Sequence, residues 1–139
     1  MLLYIHIPFC DSKCSYCAFN SYVDKFSYRE AYMNSLLTQL KAELLRFNVS
    51  SDNPIETVFI GGGTPSTIEP SLYRPLFEMI NPYLAKECEI TSEANPNSAT
   101  REWLEGMFEL GVNRLSFGVQ SFNNGKLKRS AVLIIQNTP

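Results

Sequence analysis

Cys10, Cys14 and Cys17 are the residues most capable of chemistry, forming a C-x3-C-x2-C run. On so short a loop all three thiolates can face one point. A cubane iron–sulfur cluster has four irons, so three thiolates hold it and leave one iron open to a non-protein ligand. The competing reading is zinc, with His6 completing a Cys3His set, since Zn2+ takes four tetrahedral ligands. Zinc pairs typically use C-x2-C or C-x4-C spacing, and His6 would have to come from a strand, so the run favours the [4Fe–4S] cluster. Three thiols beside Ser12, Lys13 and Ser15 do not resemble buried packing. Cys88 stands alone and reads as a structural thiol. His6 is the only histidine, which leaves no HExxH zinc site and no serine or cysteine triad away from the N-terminus.

The whole chain limits what can surround this loop. Its 139 residues, 45% hydrophobic, suit one folded unit. Twelve basic and fourteen acidic residues give a formal charge of −2 without a Lys/Arg cluster, which argues against nucleic acid as a partner. The apolar runs Met1 to Ile5 and Ala131 to Ile135 fall far short of the roughly 20 residues of a transmembrane helix. The start has neither the basic region nor the cleavage site of a signal peptide, and clustered cysteines suit a reducing compartment; the expected location is cytoplasmic.

The elements that must position the thiols follow from periodicity and breakers. Leu2 to Ile7 reads as a strand, ended by Pro8 and leading into the cysteine loop. Tyr28 to Phe47 carries Tyr32, Leu36, Leu40, Leu44 and Phe47 near helical spacing, with Ser27 as N-cap and Glu30 in capping-box position. Thr57 to Ile60 is a second strand running into Gly61, Gly62 and Gly63. Leu72 to Leu84 reads as a helix starting near Pro75 and ending early at Pro82. Glu89 to Glu93 is a third strand, followed by an Asn95-Pro96-Asn97 turn. Thr100 to Leu110 is a helix with Trp103, Leu104, Met107, Phe108 and Leu110 on one broad face and Gly111 as its C-cap. Arg114 to Val119 is the fourth strand. This alternation predicts an α/β fold with a parallel sheet, whose ligands gather at the C-terminal strand ends. There lie the cysteines, the glycines, Glu93 and Gln120.

At this point several motifs fall into one pattern. Tyr4-Ile-His-Ile-Pro-Phe-Cys10, Tyr16-Cys17, Gly61-Gly-Gly-Thr-Pro65, Glu93-Ala-Asn-Pro96 and Ser116-Phe-Gly-Val-Gln-Ser-Phe122 occur in order. The chain resembles the radical S-adenosylmethionine superfamily and, within it, the oxygen-independent coproporphyrinogen III oxidase and haem chaperone family, over roughly residues 2 to 128. The resemblance implies a partial TIM barrel of six strand-helix units, of which four fit here. It also implies that S-adenosylmethionine chelates the open iron through its amino and carboxylate groups, and that one electron cleaves its sulfonium to a 5′-deoxyadenosyl radical. Carried over by position, Tyr4 and Tyr16 line this cofactor, Gly62, Gly63 and Thr64 bring backbone close to it, and Glu93 and Gln120 contact it. Without the motifs each has a plainer reading: a glycine turn, packed tyrosines, a solvated glutamate, a turn glutamine. His6 belongs to the family motif, yet by spacing alone it reads as a packed strand histidine.

Two branches of the family differ after the third cysteine. The oxidase branch resembles Cys-x-Cys there, whereas Cys17-Ala18-Phe19 favours the haem chaperone branch. The implied partners are therefore haem or a porphyrin and an electron donor of unstated identity. The alternatives are oxidative decarboxylation of coproporphyrinogen III and an inactive remnant; the resemblance assigns no catalytic side chain. The pattern stops near Lys128, and residues 129–139 do not resemble the expected Leu-Gly-Arg-x-His continuation. The expectation is thus a truncated core over residues 1–128 with an atypical tail, unsuited to full turnover. Its fourth strand would keep an open edge prone to self-association unless Ala131 to Ile135 covers it.

Overall fold

The computed structural model describes residues 1–10, 25–119 and 131–136. Strands β1 (Leu2–Ile7), β2 (Ile55–Gly62), β3 (Leu84–Ala94) and β4 (Arg114–Val119) lie side by side in chain order and pair parallel. Three helices connect them: α1 (Arg29–Arg46), α2 (Pro70–Ile80) and α3 (Arg101–Leu110). Right-handed crossovers between sequential parallel strands place every helix on the same side of the sheet, and α2 touches both α1 and α3. The α/β parallel-sheet reading holds. β5 (Ala131–Gln136) adds antiparallel to β4, from Arg114 opposite Gln136 to Val119 opposite Ala131. It occupies the β4 edge, which would be open unless Ala131 to Ile135 covered it.

The core lies between sheet and helices. Alternate strand residues Ile5, Ile7, Val58, Ile60, Ile90 and Ala94 meet Met33, Leu40, Tyr73, Phe77, Trp103 and Met107. The opposite face carries Tyr4, His6, Thr57, Phe59, Glu89, Glu93, Arg114 and Ser116, and among the described residues no helix covers it. In the register, Tyr4 stands opposite Phe59, Phe59 opposite Thr91, and Thr91 opposite Arg114.

Several local expectations are corrected. α1 takes Tyr28 as its N-cap without a side-chain bond, so Ser27 and Glu30 form no capping box. A 3-10 turn, Phe26–Tyr28, precedes it, and the Tyr28 N–H bonds the Lys25 carbonyl at 3.0 Å. A backbone turn of this kind supports the helix start without a side-chain cap. Met33 rather than Tyr32 is buried on α1, and Phe47 is exposed. α2 starts at Pro70, not near Pro75: Pro70 occupies the first turn, where a missing N–H costs nothing, and Pro75 sits inside the helix. The termination ahead of Pro82 is as expected. Phe108 does not join the buried stripe of α3 but is 64% exposed. Gly111 ends that helix at φ 113°, with the Val112 N–H on the Met107 carbonyl and the Gly111 N–H on that of Phe108, the double bond of a Schellman cap.

Candidate cofactor site at the strand ends

The C-terminal ends of β1, β2 and β3 meet because the loops leaving β1 and β2 are fastened to each other. The Gly63 N–H donates to the Ile7 carbonyl and the Thr64 N–H to the Phe9 carbonyl, both at 2.6 Å. A Cβ on Gly63 would lie 2.6 Å from the Phe9 oxygen, 2.8 Å from the Ile7 oxygen and 3.0 Å from Cys10 Sγ. Only glycine permits this approach. Cys10 is buried beneath the glycine loop, and the Thr64 hydroxyl donates to its sulfur at 3.6 Å.

β3 joins through Glu93, whose Oε2 accepts the Gly62 N–H at 3.1 Å. Gly62 is at φ 114°, and a Cβ on it would lie 2.5 Å from the His6 ring. Desolvation pushes the Glu93 carboxyl above the usual carboxylate range, partly opposed by the Gly62 N–H and by His6. The Tyr4 hydroxyl and His6 Nδ1 share a 3.0 Å hydrogen bond whose direction follows the imidazole tautomer. Burial, reinforced by the nearby Glu93 charge, pushes the Tyr4 phenol up. The Tyr4 ring stacks on Phe59 at 6.1 Å.

The next loop layer is fixed by Ser66. Its hydroxyl accepts the Asn95 N–H at 2.9 Å and pairs with the Ser98 hydroxyl at 2.6 Å, linking the turn after β2 to the turn after β3. The Asn95 side chain accepts the Asn97 N–H at 2.9 Å, closing the expected turn. Arg29 ties α1 to this region through the Thr67 carbonyl at 2.6 Å, and Tyr32 donates its hydroxyl to the His6 carbonyl.

The structure thus brings together Tyr4, Cys10, Gly62, Gly63, Thr64 and Glu93 of the residues singled out by sequence. Cys14, Tyr16, Cys17, Phe19 and Gln120 lie outside the described residues. Cys88 sits apart from the strand-end site, on β3 four residues after its start and remote in register from Glu93; burial pushes its thiol up. His6, which spacing left ambiguous, stands between Tyr4 and Gly62. Phe59 and Ser66 escaped sequence reading. Phe59 shares the strand parity of Thr57, a local signal for the face away from the helices, whereas Ser66 has no local signal because its partners lie in another loop. Among the described residues no three His, Cys, Asp or Glu side chains converge as a complete metal site. Cys10 nevertheless fits as one member of a cluster's ligand set: its sulfur faces a position stripped of Cβ and receives a hydroxyl donor.

Comparison with known proteins places this fold in a family. The Radical SAM superfamily model matches residues 4–132. Heme chaperone HemW of Haemophilus influenzae is 43% identical over 91% of this chain and 34% of its own length. HemW of Bacillus subtilis is 38% identical over 91% of this chain and 33% of its own. The mitochondrial radical S-adenosyl methionine domain-containing protein 1 of Mus musculus is 40% identical over 91% and 28%. The chain therefore spans about a third of the length of these relatives. Among solved structures, coproporphyrinogen III oxidase (HemN) from Escherichia coli, a radical SAM enzyme, superposes with a TM-score of 0.77 at 27% identity, over 89% of this chain and 29% of that one. No helix among the described residues is long and apolar enough to cross a membrane. With the family model spanning nearly all of the sequence, from residue 4 to residue 132, the chain belongs to the radical SAM superfamily.

Proposed function

We propose that the chain carries the cluster- and S-adenosylmethionine-binding part of a haem chaperone. Cys10, Cys14 and Cys17 hold a [4Fe–4S] cluster with one open iron. Tyr4, Tyr16, Gly62, Gly63, Thr64, Glu93 and Gln120 form the cofactor wall beside it. The observation that carries this reading is the fastening of the cysteine loop to the glycine loop through the Ile7 and Phe9 carbonyls, with Glu93 held on the Gly62 N–H. That arrangement draws the Cys10 sulfur, the glycine backbone and the Glu93 carboxyl to the same end of the sheet, which supports the reading. When bound, the cluster and S-adenosylmethionine supply one-electron chemistry that belongs to the cofactors rather than to a protein acid or base. The protein's share is to hold the thiol side, exclude Cβ atoms from the approach and place the Glu93 carboxylate and Tyr4 hydroxyl as polar contacts.

Haem binding and delivery is preferred over porphyrin oxidation because Phe19 stands where the oxidase pattern has a further cysteine, and because relatives named heme chaperones match at 38–43% identity. The second reading, decarboxylation of coproporphyrinogen III, is favoured by the structural likeness to coproporphyrinogen III oxidase. The described free thiols, Cys10 and Cys88, suit a reducing compartment such as the cytoplasm. Residues 1–128 are assigned to the core and 129–139 to an atypical tail, whose strand Ala131–Gln136 joins the same sheet beside β4.

Anaerobic reconstitution followed by iron and sulfide analysis, with spectra before and after S-adenosylmethionine, tests the site. Iron and sulfide in equal amounts with a cofactor-dependent spectral change is the expected result; zinc uptake without sulfide overturns it. Haem titration and incubation with coproporphyrinogen III then separate the two activities. Protoporphyrinogen formation would exclude a purely carrier role.

A further inference from the structure

We infer that the Thr64 hydroxyl tunes the reduction potential of the cluster by donating a hydrogen bond to the Cys10 thiolate. This rests on the cluster reading above and adds a residue role to it. The donor is held by its surroundings. The Thr64 N–H is bound to the Phe9 carbonyl at 2.6 Å, and the Thr64 carbonyl accepts the Thr67 hydroxyl at 2.7 Å and the Thr67 N–H at 3.0 Å. Pro65 follows, restricting the preceding residue to extended backbone, and Thr64 lies at φ −129°, ψ 93°. With both peptide neighbours pinned and a β-branched side chain of few rotamers, the hydroxyl is kept 3.6 Å from Cys10 Sγ. Cys10 is only 7% exposed, so water competes little for the sulfur.

Hydrogen bonds to cluster sulfurs and the burial of the cluster are recognised determinants of its potential. A donor aimed at a ligating sulfur stabilises negative charge. The reduced cluster carries one more electron than the oxidised one, so the donor favours reduction and raises the potential. No bond breaks and no proton transfers in this step; one electron enters, supplied in the test by a dye-mediated electrode.

Thr64→Val removes the donor while keeping the β-branch, and Thr64→Ser restores it. On anaerobically reconstituted chains with matched iron and sulfide, potentiometry followed by electron paramagnetic resonance of the reduced cluster is expected to show about a tenfold lower reduction equilibrium constant for Thr64→Val, ~59 mV for one electron. Thr64→Ser should titrate close to wild type. A Thr64→Val cluster at the wild-type potential overturns the inference and leaves the cluster reading intact. A wild-type chain that takes up no iron and sulfide overturns the cluster reading and this inference with it. If Thr64→Val does not load, resonance Raman spectra of the wild-type cluster in H2O and D2O decide: isotope-sensitive Fe–S(Cys) bands support the donor, and bands unchanged on exchange overturn it.

Discussion

At the scale of single residues, burial at the strand ends perturbs the groups proposed to meet the cofactor. Glu93 is an example, since burial raises its folded-state pKa. A carboxyl with a raised folded pKa binds protons more readily in the folded chain, so its contribution to stability is full at low pH and is lost as pH rises from the ordinary value of 4.5 through the raised one. Glu93→Gln removes this titration but keeps an acceptor for the Gly62 N–H. Urea unfolding of the cofactor-free chain from acid to neutral pH should show the wild type losing stability relative to Glu93→Gln, while S-adenosylmethionine binding to the cluster-loaded variant falls at least tenfold. A variant as pH-sensitive as wild type would remove Glu93 as the source. Gly63→Ala is the complementary case. Its Cβ would press on two carbonyl oxygens and on Cys10 Sγ, so iron retained per chain after gel filtration should fall severalfold. Retention equal to wild type would mean that the loops can part without consequence.

At the scale of elements, pattern reading succeeded where the determinant is local. Gly111 after an apolar helical stripe marks the C-cap, which the structure closes as a Schellman motif, and Thr100 caps the same helix by accepting the Trp103 N–H at 3.2 Å. Thr100→Ala should therefore cost about 1 kcal/mol in urea unfolding, with Thr100→Ser near wild type. The start of α1 was misread because a backbone turn satisfied the donors that Ser27 was expected to serve. α2 begins at Pro70 rather than near Pro75, because Pro70 has the first-turn position that proline favours while Pro75 sits inside the helix. Phe108 belongs by spacing to one broad apolar face of α3, yet it lies with Leu104, Leu115 and Phe117 along an open apolar groove beside β4. Periodicity identifies apolar positions, and neighbouring elements decide which of them are covered.

At the scale of the whole molecule, two consequences follow from incomplete local closure. A cluster held by the proposed Cys10, Cys14 and Cys17 set would bind the folded chain in preference to the unfolded one and so stabilise it. Cluster-loaded chains should melt at higher temperature than cluster-free ones, an increment abolished by Cys14→Ala and kept by Cys88→Ala; equal loss in both variants would overturn the division between ligand and structural thiol. The second concerns β5, which lies along β4 where an unpaired edge would template association. Ending the chain before Ala131 should shift sedimentation toward larger species, and an unchanged monomer–oligomer distribution would show that β5 does not protect that edge.

Residue type and order by themselves determined the thiolate run, the glycine loop, the acidic strand end and the alternation that makes a parallel sheet, because each is written within a few consecutive residues. Spacing could not say that the hydroxyl of Thr64 reaches Cys10, that Glu93 holds Gly62, or that Ser66 joins two turns. Those contacts depend on strand register across separations of 54, 31 and 29 residues. Register is decided only when the helices pack one face of the sheet and bring the strand ends level, so the chemistry of the site was legible as an inventory and its geometry belongs to the fold.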